Sequence, residues 1–402
     1  MGRNHEGAIP IDIETRAVHM PDIDWPKNSA SPPLFQTAAY AYHSVETVDR
    51  ILSGDETGFT YTRSGNPTTE ALEKLLASLE GAARAVVTAS GSGAMLAGIL
   101  ALLPRPGALL VAREIYGGTV GLARRILEPM GYTFHWIDTH QLDELPQLFR
   151  QFGGILIAET ISNPLGRVCP LDAIIPLAHQ AQVKVLVDNT FATPYHAAPL
   201  DWGADLVVHS LTKFIGGHSD LILGAVLGSG PVVDSAREIV DVMGLTPDPF
   251  ASWLAFRGAR TLPLRMERAS QNALSLAQWL TTRPEVDAVH YPGLSEHEDH
   301  QHAARLLKRG YGAVLSMRLR GGLPAVEAMA SRLQHVQFVP SLGDVATTIS
   351  HPVVASHREL SREEKEAVRI DDGVVRVSVG IEQIADVTAD FEQALKGGEK
   401  GA

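Results

Sequence analysis

Val207-Val208-His209-Ser210-Leu211-Thr212-Lys213-Phe214-Ile215-Gly216-Gly217-His218 is the stretch on which the reading of this 402-residue chain turns. An apolar run over residues 204–208 has the composition of a buried strand, and it empties into a hydroxyl-rich turn that ends on a lysine and a Gly-Gly pair. Most lysines are solvated surface charges. Lys213 instead stands between a buried-looking strand and a tight turn. Upstream, a second apolar run, 183–187, ends on an acid in Asp188-Asn189-Thr190.

Working outward, apolar strands at 85–88, 108–112, 133–137, 155–158, 183–187, 206–208 and 221–227 alternate with helical stretches. Those helices fall at 94–103, 119–130, 142–149 and 171–180, after a first helix marked by Leu72, Leu75, Leu76 and Leu79 and ended by Gly81. Such alternation predicts an α/β fold, with a mostly parallel seven-stranded sheet covered on both faces. Ligands of these sheets bind outside the carboxyl ends of the strands. Beyond residue 250 the pattern changes to long helices (253–272, 273–281) and then strands at 286–290, 313–319, 336–339 and 374–379, which predicts a smaller α+β domain. The organisation expected is an N-terminal arm, 1–60, an α/β domain, 61–250, and a C-terminal α+β domain, 251–402. Within the arm, Ser31-Pro32-Pro33-Leu34 reads as extended, because proline excludes helix from the residue before it.

Composition narrows the function. With 45% hydrophobic and 20% charged residues the chain can bury large cores. A formal net charge of −12 argues against a nucleic-acid partner. The longest apolar run, 95–103, is half the length of a membrane span and meets Pro104, so no membrane association is expected. A single cysteine, Cys169, and an N-terminus without a signal-peptide core predict a reducing cytoplasmic location.

Several polar groups sit at predicted strand ends. Ser90-Gly91-Ser92-Gly93 joins a strand to a helix, where glycine lets an anion approach and free N–H groups point at it. A dinucleotide fingerprint is the rival reading, but Leu96 occupies the third glycine position of that motif. Ser210 and Thr212, on alternate residues, can face the same phosphate. A lysine made neutral by burial attacks carbonyls, and an aspartate can hold a pyridine nitrogen protonated. Lys213 and Asp188 therefore suit an enzyme that carries pyridoxal 5′-phosphate, with Lys213 forming the Schiff base. Tyr116, in a Gly-rich turn, could stack on the ring or relay a proton. Arg376, inside the β-branched run 374–379, suits a clamp on a substrate carboxylate. His297, His300 and His302 lack the helical spacing of metal sites, and no metal is expected.

These motifs, in order, resemble the transsulfuration (Cys/Met metabolism) family of fold type I enzymes. The resemblance runs from Pro32 to Leu395 and rests on YTRSGNPT (61–68), SGSGA (90–94), YGGT (116–119), SNP (162–164), VDNTFATP (187–194), HSLTKFIGGHSD (209–220), YPGL (291–294), SLGD (341–344) and RVSVGIE (376–382). It implies a γ-elimination or γ-replacement on a γ-substituted L-amino acid, homoserine-derived or methionine-like, with cystathionine lyase or synthase activity as the alternative. It implies Lys213 as Schiff-base lysine, Asp188 as pyridinium partner, and Gly91, Ser92, Ser210 and Thr212 as phosphate binders. Tyr61 and Arg63 resemble the pair that reaches the neighbouring subunit's phosphate. Tyr116 is similar to the stacking and acid–base tyrosine, and Asn163 to the residue at the cofactor's phenolic oxygen. Ser341 and Arg376 match the substrate-carboxylate site. A homotetramer, a dimer of dimers sharing active sites, is implied as well. The sequence departs from the family at Gly118, where methionine γ-lyases carry cysteine, at Ala346, where cystathionine enzymes carry glutamate, and across His351-Pro352-Val353-Val354-Ala355-Ser356-His357.

Overall fold

Uninterrupted runs of Val, Leu, Ile and Ala make strands that are apolar on both faces, and such strands belong in the middle of a layered sheet. In the computed structural model, which describes residues 11–19, 28–358 and 360–396, they are β1 (Arg84–Thr88), β2 (Ala108–Ala112), β3 (Thr133–Ile137), β4 (Ile155–Glu159), β5 (Lys184–Asp188), β6 (Leu206–Ser210) and β7 (Gly224–Gly228). Parts of the expected arm, residues 1–10 and 20–27, lie outside the described residues. The spatial order is β1-β7-β6-β5-β4-β2-β3. β7 runs antiparallel to both neighbours, and the other strands share one direction. Their carboxyl ends open along one edge.

The two-residue period of the strands sorts side chains into two layers. Leu109, Val111, Ile157, Leu186 and Val208 pack under Met95 and Ile99 of helix Gly91–Leu102 and Val233 and Ala236 of helix Gly230–Val242. Leu110, Leu156, Val185, Val187 and Val207 face the opposite layer, against Phe149 of helix Leu145–Phe152 and Ile174 of helix Leu171–Gln180. A buried pair, His209 Nε2 and Glu80 Oε2 at 2.7 Å, ties β6 to the end of helix Pro67–Glu80.

The second sheet contains β8 (Val286–His290), β9 (Val314–Leu319), β10 (Gln337–Phe338), β11 (Thr348–Ser350) and β12 (Val374–Ser378), in the order β10-β11-β12-β9-β8. Val326 and Met329 of helix Gly322–Arg332 and Val387 and Phe391 of helix Ile384–Lys396 cover Leu315, Met317, Val375 and Val377. The helix expected over 253–272 is two helices, Pro249–Ala259 and Leu262–Leu280, because the chain turns at Arg260 and Thr261 and restarts with Pro263 in the first turn, where proline costs no hydrogen bond. Helix Gly230–Val242, the short helix Arg362–Ala367 and the three-residue β11 add to the expected elements. Among the described residues no helix is long and apolar enough to cross a membrane.

Helix Leu262–Leu280 also fixes the turn after Lys213. Arg265, buried, donates to the carbonyls of Phe214, Ile215 and Gly258, and burial holds its guanidinium down at about 10. Replacing it would strand three acceptors away from water. Arg265→Met is therefore expected to destabilise the protein by roughly 2–5 kcal/mol, read as a lowered urea midpoint by tryptophan fluorescence. An unchanged midpoint would show that the turn holds itself.

Candidate active site

At the open edge, between the two sheets, lies a cavity of about 390 Å³. Gly91, Ser92, Tyr116, Asn163, Asp188, Ser210, Thr212, Lys213, Ser341 and Arg376 all line it, although they come from seven separate segments of the chain. Tyr61 and Arg63 do not. Tyr61 is 48% exposed, and Arg63 Nη1 is held by Asp241 Oδ1 at 2.9 Å on a different surface.

The phosphate-cradle candidates are built from a helix start and a strand end. Ser90 caps helix Gly91–Leu102 by accepting from Gly93 N–H at 3.1 Å, and Gly91 and Ser92 N–H have no protein acceptor among the described residues. Only glycine fits at 91: a Cβ there would stand 2.8 Å from the Cβ of Ser210. That close approach puts the Ser210 hydroxyl beside the helix N-terminus, where the helix dipole favours an anion. Thr212 Oγ1 is tied to Leu223, donating to its carbonyl and accepting from its N–H at 3.2 Å each.

Lys213 sits in a tight seat. Gly343 adopts φ +84°, and a Cβ there would lie 2.9 Å from Lys213 Cα, so a side chain at 343 is excluded twice over. Lys213 Nζ donates to Ser341 Oγ at 3.0 Å. Burial, and then the nearby Arg376 guanidinium, lower its pKa to about 8. Arg376, 3% exposed, donates from Nη1 to Asn163 Oδ1 at 3.1 Å and from Nη2 to Ser341 O at 2.8 Å, and burial holds it at about 10.

Two acids also line the cavity. Asp188 Oδ1 accepts from Thr190 N–H at 3.0 Å and from the Thr190 hydroxyl, whose oxygen in turn accepts from Ser210 N–H at 2.9 Å. Its pKa is raised, chiefly by burial. Glu159 pairs with Asp188 in register across β4 and β5. Its carboxyl is raised well above the ordinary range by burial, and by the neighbouring Asp188. Glu159 and Thr190 carry no role in the sequence reading. Their signal was the one used for Asp188: a polar residue at the end of a buried strand. Ser356 reaches the cavity from the departing 351–357 segment, with its hydroxyl 2.8 Å from His357 Nδ1. Burial and Arg376 lower that imidazole to about 4. Among the family departures, Gly118, Ala355 and Ser356 line the cavity, whereas Ala346 is exposed and does not.

Other candidates of the sequence are spent elsewhere. Burial pushes the Cys169 thiol up to about 12. His297 and His300 are engaged by the carbonyls of Leu165 and Pro292, and His302 lies beside Arg305.

The sequence profile of the Cys/Met metabolism PLP-dependent enzymes matches residues 14–396. The chain belongs to that family. Within it, an L-methionine gamma-lyase of Fusobacterium nucleatum subsp. polymorphum is 37% identical over 96% of this chain and 98% of its own. An O-succinylhomoserine sulfhydrylase of Pseudomonas aeruginosa is 34% identical over 97% and 98%. A crystal structure of cystathionine gamma synthase from Xanthomonas oryzae pv. oryzae superposes with a TM-score of 0.90 at 35% identity, covering 96% of this chain and 98% of that one.

The residues fit the family's cofactor. The helix N-terminus at Gly91 offers unpaired donors to a phosphate, and Asp188 is a half-buried acid with no ion-pair partner among the described residues, suited to a pyridinium N–H. Lys213 completes the set with an amine that is half neutral near pH 8. Only the neutral amine attacks the aldehyde. The rate at which the apoprotein develops the yellow cofactor band should therefore rise with pH and level off above about 8. Arg376→Met, which removes a cation that disfavours the ammonium, should move that midpoint upward. Lys213→Ala should give no band. A pH-independent rate in the wild type would refute the depressed amine.

Proposed function

We propose that this member of the family catalyses γ-elimination or γ-replacement on a γ-substituted L-amino acid, homoserine-derived or methionine-like. The observation that carries the proposal is the set of groups lining one cavity: a low-pKa amine, Lys213, a guanidinium, Arg376, close enough to lower it, and a phenol, Tyr116, near that guanidinium. Bound pyridoxal phosphate supplies the electron sink for a carbanion at the substrate Cα. Arg376 pairs with the substrate carboxylate through the part of its fork not spent on Asn163 and Ser341. Lys213, released to its amine form, takes the Cα proton and then serves Cβ. Tyr116 supplies the proton to the atom that leaves Cγ. Water then releases an oxo acid and ammonia, or a nucleophile adds at Cγ.

The remaining roles belong to the same proposal. Asp188 holds the ring nitrogen; Gly91, Ser92, Ser210 and Thr212 hold the phosphate; the amide nitrogen of Asn163 meets the phenolic oxygen, since its Oδ1 is taken by Arg376. Ser341 supports the carboxylate site. Tyr61 and Arg63, exposed away from this chain's own cavity, serve the phosphate of a neighbouring subunit in a homotetramer. The cytoplasm is the proposed location, and the arm, α/β and α+β divisions at residues 60 and 250 are the proposed domains. Met95, Leu122, Phe191 and Ile222 give the cavity an apolar side, which favours a thioether or ester substituent over a charged one.

The test is a panel of methionine, cystathionine and O-acylhomoserines, with and without sulfide. Oxo-acid release marks elimination; a new thiol or thioether amino acid marks replacement. Tyr116→Phe is expected to lower kcat by about 10²–10⁴-fold while Cα–H exchange with solvent deuterium continues. Arg376→Ala is expected to raise KM by about 10-fold or more. Holoprotein that turns over none of the panel would reject the reading.

A further inference from the structure

Glu159 closes a circuit that the reaction scheme above leaves open. Its carboxyl, 6% exposed at the end of β4, accepts from Tyr116 N–H through Oε1 at 2.8 Å and from Asn163 N–H through Oε2 at 3.1 Å. Tyr116 stands at the N-cap of helix Gly117–Leu122 with no side-chain cap of its own, so this carboxylate bond fixes where the turn leaves β2. On the other arm, Asn163 passes the constraint to Arg376, Arg376 to Ser341, and Ser341 to Lys213, each through one hydrogen bond. Two turns that share no backbone bond in the structure are thus held by one side chain. Each Glu159 oxygen already accepts a backbone N–H, whereas Asp188, its register neighbour, has both its donors on Oδ1 and keeps Oδ2 for a ring nitrogen.

We propose that Glu159 is a positioning residue that yokes the Tyr116 turn to the Asn163–Arg376 clamp, so that the proton donor at Cγ and the grip on the substrate carboxylate are set at a common distance. The inference rests on the roles given to Tyr116 and Arg376 above. An isosteric amide cannot replace the carboxylate, because one of its two ends is a donor that would face a backbone N–H. Aspartate keeps both acceptor oxygens and loses the reach.

The experiment compares wild type, Glu159→Gln and Glu159→Asp, first as apoprotein and then loaded with the cofactor. Amide hydrogen exchange is read in peptides containing residues 116 and 163. The Kd for L-norvaline, which has no γ-leaving group, is read by spectral titration, and kcat by oxo-acid release. Both variants should keep the yellow band and exchange at least one of the two segments about 10-fold faster than wild type. They should bind L-norvaline about 10-fold more weakly and show kcat lowered by about 100-fold, because a small misplacement of a reacting group costs that much. Unchanged exchange and Kd in Glu159→Gln overturn the yoke, as does wild-type behaviour in Glu159→Asp, which would mean that the reach of the side chain does not matter. Should the amide variant fail to load, exchange in the two apoproteins decides. A wild type without turnover rejects the functional reading, and the yoke is then judged on exchange and Kd alone.

Discussion

The guanidinium of Arg376 is the bond between the two halves of the site. It belongs to β12 of the small sheet, yet one of its nitrogens ends on Asn163, behind β4 of the large sheet, and another on the backbone of Ser341. A cation this deeply buried costs several kcal/mol unless its donors are satisfied. Asn163 and Ser341 O satisfy two of them. Ser341 in turn receives Lys213, so that the small sheet's arginine and the large sheet's lysine meet across one hydroxyl-bearing residue. Move either sheet and all these contacts change together.

Opposite charges share the cavity. Asp188 and Glu159, ending adjacent parallel strands, have carboxyl pKa values raised by burial. Lys213 and Arg376 are each lowered by burial, and the lysine is lowered further by the arginine. Each group is thus displaced toward its neutral form, the direction in which desolvation always pushes. A ligand that brings a ring cation to Asp188 and a carboxylate to the Arg376 guanidinium would favour the charged form of each. The low dielectric that penalises the isolated charges strengthens those contacts.

Much of this was legible in the sequence, and for a physical reason. A strand buried on both faces can afford a polar residue only where it leaves the sheet, so Lys213, Asp188, Ser210 and Thr212 announced themselves by position. The same logic located Ser90–Gly93. It was not pressed as far as Glu159, whose strand end was plain but whose partners, the N–H groups of Tyr116 and Asn163, are backbone and carry no sequence signature. Helix Gly230–Val242 carries a helical signal in Val233, Ala236 and Val240, its buried face, but opens on Gly230-Pro231, which reads as a turn. β11 is three residues long and owes its existence to pairing with β12. Ser356 is brought to the cavity by tertiary packing, with its carbonyl set against Gly117, where a Cβ would collide. No local pattern records such a contact.

In the proposed reading, the two ends of the substrate are specified by different kinds of structure. Around Cα, the groups stand on strand ends and on turns stapled to them, as Arg265 staples the turn after Lys213. Changing any of these disturbs a sheet. On the Cγ side of that reading stand the Tyr116 turn, tied to β4 through Glu159, and the 351–357 segment, which meet at Gly117 and Ser356. Ala355 and Ser356 stand off the strands, whereas a Cβ at Gly118 would collide with the Tyr116 ring and so act on the proposed proton donor. That separation lets one scaffold keep the strand-end groups constant while its turns differ. It is also why motifs on the strand ends identify the cofactor chemistry sharply, whereas the identity of the substituent is written in the turns.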